Sequence, residues 1–279
     1  MNILITGANG FIGKHLVNNL SDTHSIIELY NGSNYSNNKL KFTCDLLDIN
    51  SVNNFLNEQL EIDVIIHLAS KIASEKNRND LSLLYENIKM YEHLNMIIDK
   101  FKPKKVINFS SIAVYPNKDG EYFENSEIRP SVNAEGLYGL SKFCGENILD
   151  FFNKKNPVNI VHLRVAQVYG HGMRNDRIFN IMRSELEDKN CITVYGNGKR
   201  ISNFIEVNKV VEKVNFFIEN NIKGIFNIGD KNISYKSLAI NIIKEYGNDK
   251  SIIKCVDKGV SSKCFINCNK LKEMELLYE

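Results

Sequence analysis

The chain has 279 residues, 43% hydrophobic and 24% charged, with 35 Lys and Arg against 33 Asp and Glu and a formal net charge of +2. That length can bury a large core, the composition is that of an ordinary soluble globular protein, and the absence of a long basic run excludes nucleic acid and membrane as expected partners. The six cysteines, at positions 44, 144, 191, 255, 264 and 268, form no Cys-x-x-Cys pair and no disulfide-like framework, so a reducing cytoplasm is expected. Cys264 and Cys268 are followed by no histidine, so no metal site is expected.

The chain opens on Asn2-Ile-Leu-Ile-Thr6, a strand that leaves no room for a signal peptide, and no stretch has transmembrane length. Gly7-Ala-Asn-Gly10-Phe11-Ile12-Gly13 follows, with Phe11, Ile12, Leu16, Val17 and Leu20 at helical spacing. Glycines there permit a tight turn and close backbone approach, and a helix N-terminus offers free amides to a pyrophosphate. A glycine turn can also merely join strand to helix, but here both elements stand where pyrophosphate binding needs them. Much later, Tyr138-Gly-Leu-Ser-Lys142 places a phenol and an ammonium at i and i+4 of a predicted helix, on one face. A neighbouring cation favours the phenolate and lowers the tyrosine pKa toward neutral proton transfer.

Together, the Gly-x-x-Gly-x-x-Gly turn and the Tyr138/Lys142 pair resemble the short-chain dehydrogenase/reductase superfamily. The resemblance implies an NAD(P) cofactor seated on Gly7, Gly10, Phe11, Ile12 and Gly13. In the second strand, Ser25-Ile-Ile-Glu-Leu-Tyr30, NAD-binding members place an aspartate at the tip; here it reads Tyr30-Asn31-Gly32-Ser33, with Glu28 inside the strand. An acid there would repel a ribose 2′-phosphate, so its absence favours NADP (NADPH), with Lys39 the nearest cation and NAD the alternative. Asn31 is assigned to this end of the cofactor.

Lys41 to Asp48 reads as the third strand and its exit. Asp45-Leu46 matches the family's pair beside the adenine, and Asp48 suits the cap of a helix predicted over 51–60. The fourth strand, from Asp63, ends in His67-Leu68-Ala69-Ser70. The family passes the backbone of those small residues, Leu68, Ala69 and Ser70, against the cofactor; His67 reads as a packed strand residue. A helix over 80–100 carries Leu81, Leu84, Tyr85, Ile88, Leu94, Ile97 and Ile98 mainly as core. Family members use this helix, with the one bearing Tyr138, in a four-helix homodimer interface. Asn87 on it matches a family asparagine on the nicotinamide side.

The fifth strand, Lys105-Val-Ile-Asn-Phe-Ser-Ser111, ends in Ser110 and Ser111, four residues before Tyr115. In the extended branch of the superfamily a serine so placed hydrogen-bonds the reacting oxygen, which makes Ser111, Tyr138 and Lys142 the catalytic set; Ser110 joins the cofactor-binding residues. The dehydratases of this branch carry Asp-Glu after the hydroxyl residue, where this chain has Ile112-Ala113, so dehydration is disfavoured. Epimerase/reductases acting at two carbons need a cysteine near this turn; Ala113 stands there and Cys144 lies on the next helix.

Leu163-Arg164-Val165-Ala-Gln167-Val-Tyr-Gly170 resembles the segment closing the nicotinamide pocket, with Val165 toward the cofactor and Gln167, in place of the usual asparagine, toward the substrate. Beyond it, Arg174, also assigned to the substrate, leads into a helix. Gly196-Asn-Gly198-Lys-Arg200…Phe204-Ile-Glu-Val207 resembles the family stretch whose arginine binds the substrate diphosphate, for which a guanidinium is well suited. Residues 208–221 read as a helix, and Gly224–Gly229 as a strand returning to the main sheet. The stretch from Phe265 reads as the closing strand and helix of the small domain.

The expected fold is α/β, a Rossmann-type doubly wound parallel sheet over residues 1–170. A small discontinuous C-terminal substrate-binding domain takes 171–279, with about 207–229 returning to the sheet. The resemblance implies a cytoplasmic enzyme of sugar-nucleotide biosynthesis for surface polysaccharide. Its partner would be a nucleotide-diphosphate sugar. The readings left open are NAD(P)H-dependent reduction of a 4-keto (6-deoxy)hexose, NAD-dependent 4-epimerisation of a UDP-hexose type sugar, and non-catalytic dinucleotide sensing.

Overall fold

The computed structural model describes residues 1–32, 40–154 and 157–278; the expectations for Ser33 and Lys39 fall outside them. Strand β1 (Asn2–Thr6) leads into helix α1 (Phe11–Leu20), then β2 (Ser25–Tyr30), β3 (Lys41–Thr43), α2 (Ile49–Leu56), β4 (Val64–His67), α3 (Ser82–Phe101) and β5 (Lys105–Ser111). The Asp48 carboxylate accepts the Asn50 amide and starts α2 two residues before the expected position 51. Next come β6 (Gly120–Tyr122), α4 (Gly136–Asn153), β7 (Asn159–Val165), β8 (Gln167–Tyr169), α5 (Ile178–Lys189), β9 (Cys191–Tyr195) and β10 (Ile201–Glu206). The chain ends with α6 (Val207–Glu219), β11 (Gly224–Ile228), β12 (Lys231–Ser234), α7 (Tyr235–Tyr246), β13 (Ile252–Val256), β14 (Cys264–Ile266) and α8 (Asn269–Tyr278).

Seven parallel strands form the main sheet in the order β11-β7-β5-β4-β1-β2-β3. Their near-continuous apolar runs are what a parallel sheet covered on both faces demands. Side chains alternate across the pleat, so Ile3 and Ile5 pack with Leu16 of α1 and Val210, Val214 and Phe217 of α6, while Leu4 packs with Phe55 of α2 and Tyr91, Leu94 and Ile97 of α3. Helices on both faces make the sheet doubly wound.

A second, smaller apolar cluster forms among Met182, Leu186, Ile192, Val194, Phe204, Leu238 and Ile242, from α5, β9, β10 and α7. Strands β12-β10-β8 make one small sheet, with the pairs β13-β9 and β14-β6 beside it. Two elements depart from the expected division. β6, within the stretch assigned to cofactor binding, pairs in parallel with β14 of the C-terminal stretch. α8, expected in the small domain, packs on the main core, because Leu271 buries there and Lys213 of α6 grips Glu275 at 2.7 Å.

Candidate active site

A cleft of about 1260 Å³ opens beyond the C-terminal ends of the main strands, where the order reverses between β1 and β4. The glycine turn forms one wall. Gly7 sits at φ +70°, and a Cβ on Gly13 would stand 2.4 Å from the Gly7 carbonyl oxygen, so only glycines let α1 start this close beneath the turn. Gly10 caps the helix with no side-chain hydrogen bond and the first turn holds no acid. The amides of Phe11, Ile12 and Gly13, which face no acceptor one turn earlier, are therefore left for an anion. This cradle fits a dinucleotide pyrophosphate.

Asn31, Asp45 and Leu46 line the same cleft at the β2 and β3 end, and Leu68, Ala69, Ser70 and Val165 line it at the tips of β4 and β7. Asp45 Oδ1 accepts the Leu47 amide at 2.9 Å. Glu28 is engaged inside the sheet by Lys41 at 2.9 Å, away from the β2 tip.

Ser111 ends β5, and its hydroxyl oxygen accepts the Ala113 amide at 3.1 Å, which leaves the hydroxyl hydrogen to donate. Helix α4 presses against this turn: a Cβ on Gly139 would lie 2.0 Å from the Ala113 carbonyl oxygen. That contact sets Tyr138 in the wall of the cleft that Ser111 and Ser70 also line.

The electrostatics differ from the sequence expectation. Burial pushes the Tyr138 phenol well above the ordinary tyrosine value; Glu135 adds to the rise, while Arg177, Ser70 and Ser111 oppose it. Lys142 is not among the groups that set this shift; its ammonium stands over the ring face, 5.7 Å from the centroid, and 5.8 Å from that of Tyr91. Burial pushes Lys142 itself down to about 7, with Glu146 opposing.

Two expected cofactor residues are placed differently. Asn87 does not line the cleft; it is buried behind it, where its side-chain amide holds the Lys71 N–H at 2.7 Å, the Lys71 carbonyl at 3.0 Å and the Ser141 hydroxyl at 3.0 Å. The family resemblance implied the nicotinamide side for it, whereas the packing of α3 on α4 turns it to Ser141. Ser110 borders the cleft, but its hydroxyl donates away into Glu146. His67 is wholly buried on Thr6, its ring pushed down to about 3 by burial, as befits a packed strand residue.

Toward the small lobe the cleft is lined by Gln167, Arg174 and Arg200. Gln167 bridges to the Ser202 hydroxyl at 2.8 Å, Arg174 pairs with Asp176, and Arg200 stacks on Tyr235 at 4.9 Å. Sequence reasoning missed Arg177, which contacts Glu135 and the Ala73 carbonyl, each at 3.4 Å, and so joins three walls around the phenol. Its only sequence signal is a cation at the mouth of α5. Among the described residues, no three His, Cys, Asp or Glu side chains converge to hold a metal, and no helix is long and apolar enough to cross a membrane.

Residues 3–229 match the family model described as the NAD dependent epimerase/dehydratase family. An ADP-L-glycero-D-manno-heptose-6-epimerase of Brachyspira hyodysenteriae is 29% identical over 90% of this chain and 82% of its own length. A dTDP-4-dehydro-6-deoxyglucose reductase of Escherichia coli is 26% identical over 90% of this chain and 83% of its own. The solved UDP-N-acetylglucosamine 4-epimerase of Methanobrevibacter ruminantium M1, in complex with UDP-N-acetylmuramic acid, shares the fold at TM-score 0.82 and 23% identity, over 98% of this chain and 91% of that one.

Proposed function

From its membership of the NAD-dependent epimerase/dehydratase family, to which this chain belongs, we propose that the protein transfers hydride to the 4-keto group of a nucleotide-diphosphate-linked (6-deoxy)hexose. The observation that carries this reading is the convergence of Ser111, Tyr138 and Lys142 in the cleft that also holds the Gly7–Gly13 cradle.

A nicotinamide cofactor, when bound, supplies or accepts the hydride. The chain does the rest. The α1 amides hold the pyrophosphate, and Asp45 accepts from the adenine amine. Ser111 donates its free hydroxyl hydrogen to the reacting oxygen, and Tyr138 gives or takes that oxygen's proton. Lys142 would hold the nicotinamide ribose. Gln167, Arg174 and Arg200 receive the sugar and its diphosphate.

The β2 tip, with no acid from Tyr30 to Leu40, supports NADPH and net reduction. The 4-epimerases among the relatives and solved structures favour a second reading, 4-epimerisation with NAD. A homodimer through α3 and α4 is supported by the exposed Leu81 just before α3, Tyr85 on it, and Phe151 and Phe152 on α4.

The test is oxidation of NADPH and NADH with a panel of nucleotide-linked 4-keto-6-deoxy sugars. Stoichiometric consumption, faster with NADPH and lost in Tyr138→Phe, is the expected result. Interconversion of UDP-hexoses with copurifying NAD and no net consumption would replace it with the epimerase.

A further inference from the structure

The segment between β8 and α5 borders the cleft and is tied at its two ends to different walls. It leaves β8 through Gly170 and Gly172, at φ +148° and +85°, backbone that residues with a Cβ rarely adopt. Between them, the His171 carbonyl meets Nε2 of His15, on α1, at 2.9 Å. Phe11, in the first turn of α1, lies alongside: a Cβ on Gly172 would stand 3.9 Å from its ring. At the other end Arg177 reaches the Glu135 carboxylate, at the start of α4, and the Ala73 carbonyl, in the loop after β4, each at 3.4 Å. Met173, Arg174, Asp176 and Arg177 line the cleft between these two ties.

The segment carries internal ties of its own. Asn180, in the first turn of α5, donates from Nδ2 to the Met173 carbonyl at 3.2 Å and the Arg174 carbonyl at 3.3 Å, and the Met173 side chain is buried. Its fastenings to the walls are looser. The His15 bond is open to solvent, and the Arg177 and Glu135 side chains are 31% and 38% exposed. Water competes for such contacts, so each contributes little by itself. The segment therefore has a glycine hinge, a body that moves as one piece, and two exchangeable polar contacts holding it down.

We propose that residues 170–177 form a strap over the dinucleotide, fastened by His15 on the side of the glycine cradle and by Arg177 on the side of Tyr138, and that its opening sets the rates at which the cofactor enters and leaves. His15 and Arg177 act through the strap and are positioning residues. The role rests on the hydride-transfer function proposed above and bears on its outcome. A strap that opens between turnovers lets oxidised cofactor leave, as net reduction requires; one that stays shut returns the hydride to the same sugar.

A fastening and a cofactor contact differ in their kinetics. A side chain that only touches bound cofactor changes the off-rate. A fastening made with or without cofactor changes entry and exit together and leaves Kd nearly unchanged.

Stopped-flow fluorescence of NADPH and NADH gives both rates for wild type, His15→Ala, Arg177→Gln, Glu135→Gln and their pairs, all at partly exposed positions that the core does not need. Each single variant is expected to raise the on-rate and the off-rate about threefold, and His15→Ala with Arg177→Gln about tenfold, because both ties hold one body. Arg177→Gln with Glu135→Gln should be no faster than Arg177→Gln alone, since the two side chains make one fastening. An off-rate that rises without the on-rate would make the residue a cofactor contact and overturn the strap. Rates unchanged in the His15→Ala/Arg177→Gln pair overturn it as well, with the proposed function left standing. Wild-type protein that binds neither cofactor overturns that function and the strap with it.

Discussion

Glu146 grips Arg164 with both carboxylate oxygens, at 3.0 and 2.8 Å, one turn of α4 beyond Lys142 and out of contact with water. The guanidinium continues to the Tyr115 hydroxyl and the Glu124 carbonyl, each at 2.9 Å, so one buried pair ties α4 to β7 and to the segments on either side of β6. Such a pair adds little over a well-packed apolar replacement, yet removing one partner strands a buried charge. Arg164→Met is therefore expected to cost about 3–5 kcal/mol in denaturant unfolding, and the double variant with Glu146→Leu to recover much of it. A double variant as unstable as Arg164→Met would show that the loss comes from packing.

Lys142 makes stability depend on pH in the alkaline direction. Burial holds its ammonium at about 7, against 10.5 for an ordinary lysine. Between those values the unfolded chain binds a proton that the folded chain does not, so stability rises with pH across that window. Below about pH 7 the charge is buried and its full penalty is present. Lys142→Met should therefore stabilise the cofactor-free protein by several kcal/mol there, with the gain fading toward pH 10.5. Denaturant unfolding at a series of pH values reads this directly, and a gain independent of pH would assign it to packing.

What the sequence made legible was local. The turn from Gly7 to Gly13, the Tyr138/Lys142 spacing and the strand exits at Ala69, Ser111 and Val165 each depend on a few consecutive residues, and all of them reach the cleft. What it hid was tertiary. Arg177 reaches Glu135 across 42 positions, and β14 pairs with β6 from residues more than a hundred apart. The resemblance implied the nicotinamide side for Asn87, but the packing of α3 against α4 turns it toward Ser141. The Tyr138 and Lys142 pKa shifts followed the same limit, because spacing conveys proximity and says nothing of desolvation.

The glycine turn separates folding from binding at adjacent positions. A Cβ at Gly13 would meet backbone on two sides, 2.4 Å from the Gly7 oxygen and 2.7 Å from the Ala8 oxygen, so Gly13→Ala forces α1 off β1. The expected loss is about 1–3 kcal/mol, seen as a lowered Tm. At Gly10 the one close atom is the Gly7 oxygen at 3.1 Å. Gly10→Ala should keep Tm within a few degrees while weakening cofactor binding about tenfold or more, because its methyl enters the cradle. Equal loss of Tm in both variants would mean that Gly10 is also required by the fold.

Arg200 and Arg174 both border the substrate end, but their charges are not equally available. Arg174 is held by Asp176, whereas Arg200 has no carboxylate partner among the described residues and lies over Tyr235 at 4.9 Å. A guanidinium already neutralised gains less from a diphosphate than one offering its whole charge. Arg200→Ala is therefore expected to raise KM for the nucleotide sugar about tenfold or more with kcat little changed, and Arg174→Ala to raise it less than about threefold. Arg200→Lys should recover part of the loss, since an ammonium keeps the charge but neither spans two phosphate oxygens nor stacks on the tyrosine. The reverse ranking in steady-state kinetics would move the diphosphate to the loop before α5.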